Sequence, residues 1–210
     1  MFLEYFALYT YRGNNVIMSS TTGNSSRRDE IARAVTELAA TGGARAVTHS
    51  AIDQRLELPK GSTSYYFRTR SALISAGIDA MRRNSRSSFS TLVSLPDTSL
   101  AEVTRDYILH LITTRSVEIR ARLALAAEVG PDSLSSLFFN RDSAREAFAS
   151  LGAEKPETIS TGFIDLLEGI LLRYALLPGG SEGDLPPDPD EILAIINTYL
   201  AGDETARVQS

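Results

Sequence analysis

Three observations predict an all-α fold of about nine helices. Apolar residues recur at the 3.6-residue period along nearly every segment, no stretch alternates convincingly at period two, and glycine or proline closes most apolar runs. At 210 residues and 43% hydrophobic content, the chain can bury a substantial core, as one domain or as a small module joined to a larger one.

The first helix is expected within RRDEIARAVTELAATGG, with Ile31, Val35, Leu38 and Ala39 on one stripe and a stop at Gly42-Gly43. Two short segments follow, near 48–54 and over Pro59–Tyr66. Thr69 is placed to cap a long helix carrying Leu73, Ile74, Ile78 and Met81 on its apolar side. Ser99 to Glu102 has capping-box spacing ahead of Val103, Tyr107, Ile108 and Leu111. VEIRARLALAAEVGP forms another helix, ended by Gly130-Pro131. DSLSSLFFNRDSAREAFASLG is read as one helix placing Leu134, Leu137, Phe138, Ala144 and Phe148 together. Pro156 opens the next, which Pro178-Gly179-Gly180 ends. Asp188 as N-cap, Pro189 as first helical residue and Glu191 as third introduce the last stripe, Ile192, Ile195, Ile196 and Tyr199.

Charge divides the chain. Residues 25–92 hold 11 Lys+Arg against 6 Asp+Glu, whereas 93–210 hold 9 against 19, within a net charge of −5. An anionic partner is expected at the basic front third only. With no cysteine, disulfides, zinc–thiolate sites and thiol catalysis are excluded together; with only His49 and His110, no metal site is expected. No nucleophile–histidine–acid set or dinucleotide fingerprint is legible, so neither catalysis nor a cofactor is expected. The apolar-aromatic first 18 residues are too short to span a bilayer and lack the basic start of a secretory signal. Met18 reads as a more natural start, with 1–17 as an upstream extension or tail. A soluble, cytoplasmic protein without membrane contact is expected.

The stretch LPKGSTSYYFRTRSAL, Leu58 to Leu73, poses the functional question. A nucleotide P-loop needs its lysine after the second glycine and a strand before the loop, but here Lys60 precedes Gly61 and no strand is predicted. A helix-turn-helix fits better. Thr48 starts its first short helix, Ile52 and Leu56 face inward, and Pro59–Tyr66 forms the second helix. Lys60, Ser62, Thr63 and Ser64 are short or basic donors suited to base edges and phosphates, with Tyr65 and Tyr66 at phosphate height and Phe67 as core anchor. Arg27 and Arg28 add phosphate attraction, and His49 lies beside Thr48.

Over residues 28–73 the sequence resembles the tetracycline-repressor (TetR) family. The resemblance is carried by the glycine-terminated first helix, Val47-Thr48, Ile52, Leu58, Lys60-Gly61, Tyr66-Phe67 and the run Thr69-Arg70-Ser71-Ala72-Leu73. It implies a phosphate bond from Thr48, a reading surface of Lys60 and the residues after Gly61, a phosphate contact from Tyr66 and a backbone clamp from Arg70. Three residues depart from the pattern: Asp53 replaces alanine, Glu57 the turn glycine and Ser64 a tyrosine. Glu57 then requires a left-handed or altered turn, which a residue with a Cβ disfavours.

The domains expected are an arm over 1–24, the helix-turn-helix over 25–70 and a regulatory domain over 71–205. Two glycines seven apart, Gly162 and Gly169, beside Phe163, Leu166 and Ile170, suggest a two-fold four-helix interface with Ile192, Ile195, Ile196 and Tyr199. The resemblance implies an effector pocket as well. Tyr107, His110, Glu128 and Arg141 interrupt apolar stripes as candidate polar contacts, with Phe138 and Phe163 as walls. The expected function is a homodimeric repressor released from palindromic double-stranded DNA by a small-molecule effector. The alternative is a DNA-binding protein of low specificity without ligand control.

Overall fold

The computed structural model describes residues 23–93, 99–129, 137–176 and 187–208, and within them nine α-helices and no strand. They are α1 (Gly23–Gly42), α2 (His49–Arg55), α3 (Ser62–Tyr66), α4 (Arg70–Val93), α5 (Leu100–Thr114), α6 (Ser116–Val129), α7 (Arg141–Ser150), α8 (Pro156–Leu176) and α9 (Pro189–Val208). A 3₁₀ turn, Ala44–Ala46, joins α1 to α2.

Local caps form where the side chains call for them. Thr48 Oγ1 accepts from Ala51 N–H at 3.1 Å, and Thr69 Oγ1 from Ala72 N–H at 3.1 Å. Ser99 and Glu102 close a reciprocal capping box, and Asp188 Oδ1 accepts from Asp190 N–H at 2.9 Å. Two helices are shorter than the sequence pattern predicts. Pro59, Lys60 and Gly61 form a turn rather than a first helical turn: Gly61 adopts φ 90°, and α3 begins only at Ser62. The segment expected to run as one helix through Phe138 instead bends at Leu137–Phe139, and Asn140 caps α7 by accepting from Ser143 N–H at 3.1 Å. Leu134 lies outside the described residues.

One hydrophobic core runs from Ile31 through Leu73, Tyr107 and Leu125 to Ile196. α1 packs on both α4 and α6, and α6 also meets α4, α5 and α8. A Cβ on Gly77 of α4 would stand 2.6 Å from Val35 Cγ1, so the small residue is what lets α4 close on α1. Emptying such a site, as in Leu73→Ala, costs about 2–5 kcal/mol. The result is a three-helix unit, α1 to α3, anchored on the helices that follow.

Candidate nucleic-acid interface

α3 is only five residues long, so its own backbone bonds cannot hold it. Asp53 of α2 does so from below. Its Oδ2 accepts from Gly61 N–H at 2.7 Å, and its Oδ1 from Thr63 N–H at 2.8 Å and Thr63 Oγ1 at 2.6 Å. Burial alone would push this carboxyl up, but the Thr63 side-chain and backbone bonds and the Gly61 N–H outweigh it, and its pKa lies below the ordinary value. Glu57, in the turn between the two helices, has φ 52°, the left-handed conformation its position demands.

Thr63 is therefore not on the reading surface: it is fully buried with its hydroxyl committed to Asp53, which corrects the sequence expectation. Lys60, Gly61, Ser64 and Tyr65 are exposed, Tyr65 at 81%, while Ser62 and Tyr66 are half-buried. Ser62 Oγ donates to Pro59 carbonyl at 2.6 Å, and the two tyrosine rings meet edge to face at 5.2 Å. Arg27 reaches this surface from α1: with Leu58, Ser62, Tyr65 and Tyr66 it lines an open hollow of about 300 Å³. Arg27 also pairs with Glu30 at 2.5 Å, and the Arg28 guanidinium lies 5.0 Å over the Phe67 ring.

Two expected contacts are engaged elsewhere. His49 is half-buried and its Nε2 bonds the Phe67 carbonyl at 2.7 Å, so the ring secures the end of α3 to α2 and does not project as an outward donor. Arg70 is turned inward to the carbonyls of Ala44 and Val47 and to Glu128, at 2.5, 3.1 and 2.8 Å. Thr48 remains exposed at the start of α2. Sequence reasoning passed over Arg68, an exposed cation just after α3 that forms no ion pair among the described residues. A basic residue between the Phe67 anchor and the Thr69 cap was its one signal.

The six expected effector contacts do not converge. Tyr107 and Phe138 do meet, through a Tyr107 hydroxyl donating to Phe138 carbonyl at 2.9 Å. His110 is half-buried, with its pKa lowered by burial and then by Arg115. Phe163 packs 5.4 Å from Phe148 and 5.5 Å from Tyr199, in a separate aromatic cluster. Arg141 is exposed at the first turn of α7, and Glu128 is exposed and paired with Arg70; neither projects into the core. Arg122 lies inward, paired with Glu168 and 5.3 Å over Phe138. No group of three histidine, aspartate or glutamate side chains placed to hold a metal occurs among the described residues.

The expected partner face also changes. Phe163, Ile170, Ile192 and Ile196 are buried within this chain, because α8 and α9 use those stripes to cover α5 and α7. A Cβ on Gly162 would lie 2.5 Å from Tyr199 Oη, so this glycine admits a side chain of the same molecule. Leu166, Ile195 and Tyr199 are half-buried against the core, and the Tyr199 hydroxyl donates to Ile159 carbonyl at 2.9 Å. Gly169 is exposed with open space beyond it.

This arrangement is shared with solved structures. A transcriptional regulator from Rhodococcus sp. Rha1 superposes with a TM-score of 0.68 at 18% identity, over 83% of this chain and 96% of that one. A TetR-family member from Streptomyces coelicolor A3 matches with a TM-score of 0.61 at 21% identity, over 82% and 97%. The fold is that of the TetR regulators. A third TetR-fold match, the multidrug binding protein EbrR complexed with ethidium, has a TM-score of 0.57 at 20% identity, over 82% and 98%. No family model and no curated protein matches the sequence. Within the TetR fold, α2 and α3 are the helix-turn-helix pair, and α4 connects it to the remaining helices. No described helix is long and apolar enough to cross a membrane.

Proposed function

We propose that the chain is a sequence-specific, DNA-binding transcription regulator: a homodimer that represses from a palindromic operator and is released by a small-molecule effector. One observation carries the reading. α3 and the turn before it, held by buried Asp53, present Lys60, Ser64 and Tyr65 outward, with Arg27 beside Ser62 and Tyr66, on a fold whose matched structures are regulators. An exposed short donor such as Ser64 on a recognition helix suits base edges, and the flanking cations suit phosphates. Thr48, exposed at the start of α2, is a further phosphate donor in this reading.

Dimerisation falls to the outward faces of α8 and α9. Gly169 and Leu172, the latter 42% exposed, lie on one; Ala194, Thr198 and Gly202 are exposed on the other. Gly169, Ala194 and Gly202 allow close helix approach around Leu172, and an isologous pairing of these faces spaces two recognition helices for two half-sites. Effector control is supported by the matched EbrR–ethidium complex and by a matched regulator from Saccharomonospora viridis in complex with choline.

Selection from random duplex DNA at near-physiological salt, followed by sequencing, tests this reading. An enriched palindrome is the expected result. Diffuse, strongly salt-dependent binding would instead mark a low-specificity DNA-binding protein.

A further inference from the structure

Arg115 caps the C-terminus of α5 and carries its guanidinium into the core, with 6% of the side chain exposed. Its Nη2 is over-committed. It donates toward Met81 carbonyl at 3.1 Å, Ser85 Oγ at 3.0 Å and the Glu118 carboxylate, three acceptors for two hydrogens. Its Nε and Nη1 are buried and have no hydrogen-bond partner. The guanidinium lies 5.6 Å over the Phe138 ring, and the Tyr107 hydroxyl reaches the carbonyl of that same phenylalanine.

Buried charged donors without acceptors are costly and rare. Here the chain offers too many acceptors to one nitrogen and none to the other two. The one carboxylate that meets Arg115 among the described residues is Glu118, and it lies on the solvent side. Its side chain is 16% exposed, and its Oε1 also accepts from Asn84 Nδ2, on an exposed residue, at 3.3 Å. Glu118 can therefore swing toward Asn84 and leave the buried guanidinium to another carboxylate.

We propose that Arg115 anchors a site for a small organic carboxylate with an aromatic or apolar body. The incoming carboxylate takes the place of Glu118 on Nη2–H and also accepts from the unpartnered Nη1–H, the end-on fork of the guanidinium, while its body packs toward Phe138 and Tyr107. A cationic ligand gains nothing here, because guanidiniums of Arg115 and Arg122 already meet the Phe138 ring. A dianionic phosphate ester brings a second charge that one guanidinium does not compensate. The regulatory consequence rests on the reading of the chain as a ligand-responsive regulator. Arg115 ties Met81 and Ser85 of α4, and Arg70, the first residue of α4, holds the turn before α2. A carboxylate that redistributes the Arg115 bonds thus acts on the helix joining site to interface.

The test is thermal unfolding of the full chain with sodium benzoate, phenylacetate or hexanoate, each against its neutral amide, alongside anisotropy of a DNA duplex the protein binds. At least one carboxylate is expected to raise Tm by about 2–4 °C while its amide does not. Arg115→Gln should abolish that shift. Glu118→Gln, which removes the internal competitor and keeps the shape, should tighten the same carboxylate by about tenfold. The site is overturned if no carboxylate differs from its amide in both wild-type and Glu118→Gln protein, or if the shift survives Arg115→Gln. DNA binding without a carboxylate response overturns the site alone. Carboxylate binding at Arg115 with unchanged DNA affinity upholds the site and overturns the regulatory reading.

Discussion

Arg70 and Glu128, 58 residues apart, form a two-pronged ion pair: Nη1 to Oε2 at 2.8 Å and Nη2 to Oε1 at 3.2 Å. The same guanidinium holds the carbonyls of Ala44 and Val47, so α4, α6 and the turn leading into α2 meet at one side chain. The hydrogen bond from Arg70 is the main reason the Glu128 carboxyl lies below its ordinary pKa. The carboxylate occupies donors that a DNA phosphate would need.

Glu128→Gln is therefore expected to strengthen DNA binding at low salt. The slope of log affinity against log salt should steepen by about one, the value of one added phosphate contact. Fluorescence anisotropy between about 50 and 200 mM salt reads this directly. An unchanged slope would mean that Arg70 stays inside even when its partner is neutral.

Asp53 should make the helix-turn-helix acid-sensitive. Its folded-state pKa is depressed, so its contribution is fully present above the unfolded value of about 4 and is lost as pH falls through the folded value. Asp53→Asn should cost about 1–3 kcal/mol at neutral pH, and the gap to wild type should shrink from about pH 5 to about pH 3. Urea unfolding followed by circular dichroism at both pH values measures the gap. A gap independent of pH would show that the charge of Asp53 contributes nothing.

Glu57 sits at φ 52°, where a side chain is disfavoured by about 1–2 kcal/mol. Replacing it with glycine relieves that strain and adds some unfolded-chain entropy, so Glu57→Gly should stabilise the protein by up to about 1 kcal/mol. A lower Tm for the variant would point to an interaction of the Glu57 side chain stronger than the strain.

The two glycines of α8 should respond in opposite ways. Gly162→Ala drives a Cβ into Tyr199 Oη and disturbs its bond to Ile159, with an expected loss of about 1–2 kcal/mol. Gly169→Ala meets open space within the chain and should favour the helix by up to about 1 kcal/mol in the monomer. Gly169→Leu should weaken self-association if the outward face of α8 is the partner surface. Sedimentation across a concentration series checks this, and an unchanged dimer constant would move the interface elsewhere.

Most helices and four of the caps were legible in the sequence. A cap is satisfied within three or four residues, so Thr48, Thr69, Ser99 and Asp188 could be read in place, as could the stop at Gly42-Gly43. The TetR resemblance carried by Val47-Thr48, Lys60-Gly61 and Tyr66-Phe67 agreed with the helix-turn-helix reading of these segments. Only the tertiary structure decided which partner each side chain meets. Asp53 reads only as a departure from the family pattern until α2 and α3 dock and its carboxylate finds Thr63, ten residues on. Gly162 reads as a contact for a second molecule until Tyr199 arrives from α9, and nothing in the sequence marks Arg115 as buried until α4 closes over it. An apolar stripe or a charge states that something must cover or pair it; what does so depends on helices distant in sequence, whose docking is set by the packing of the whole core.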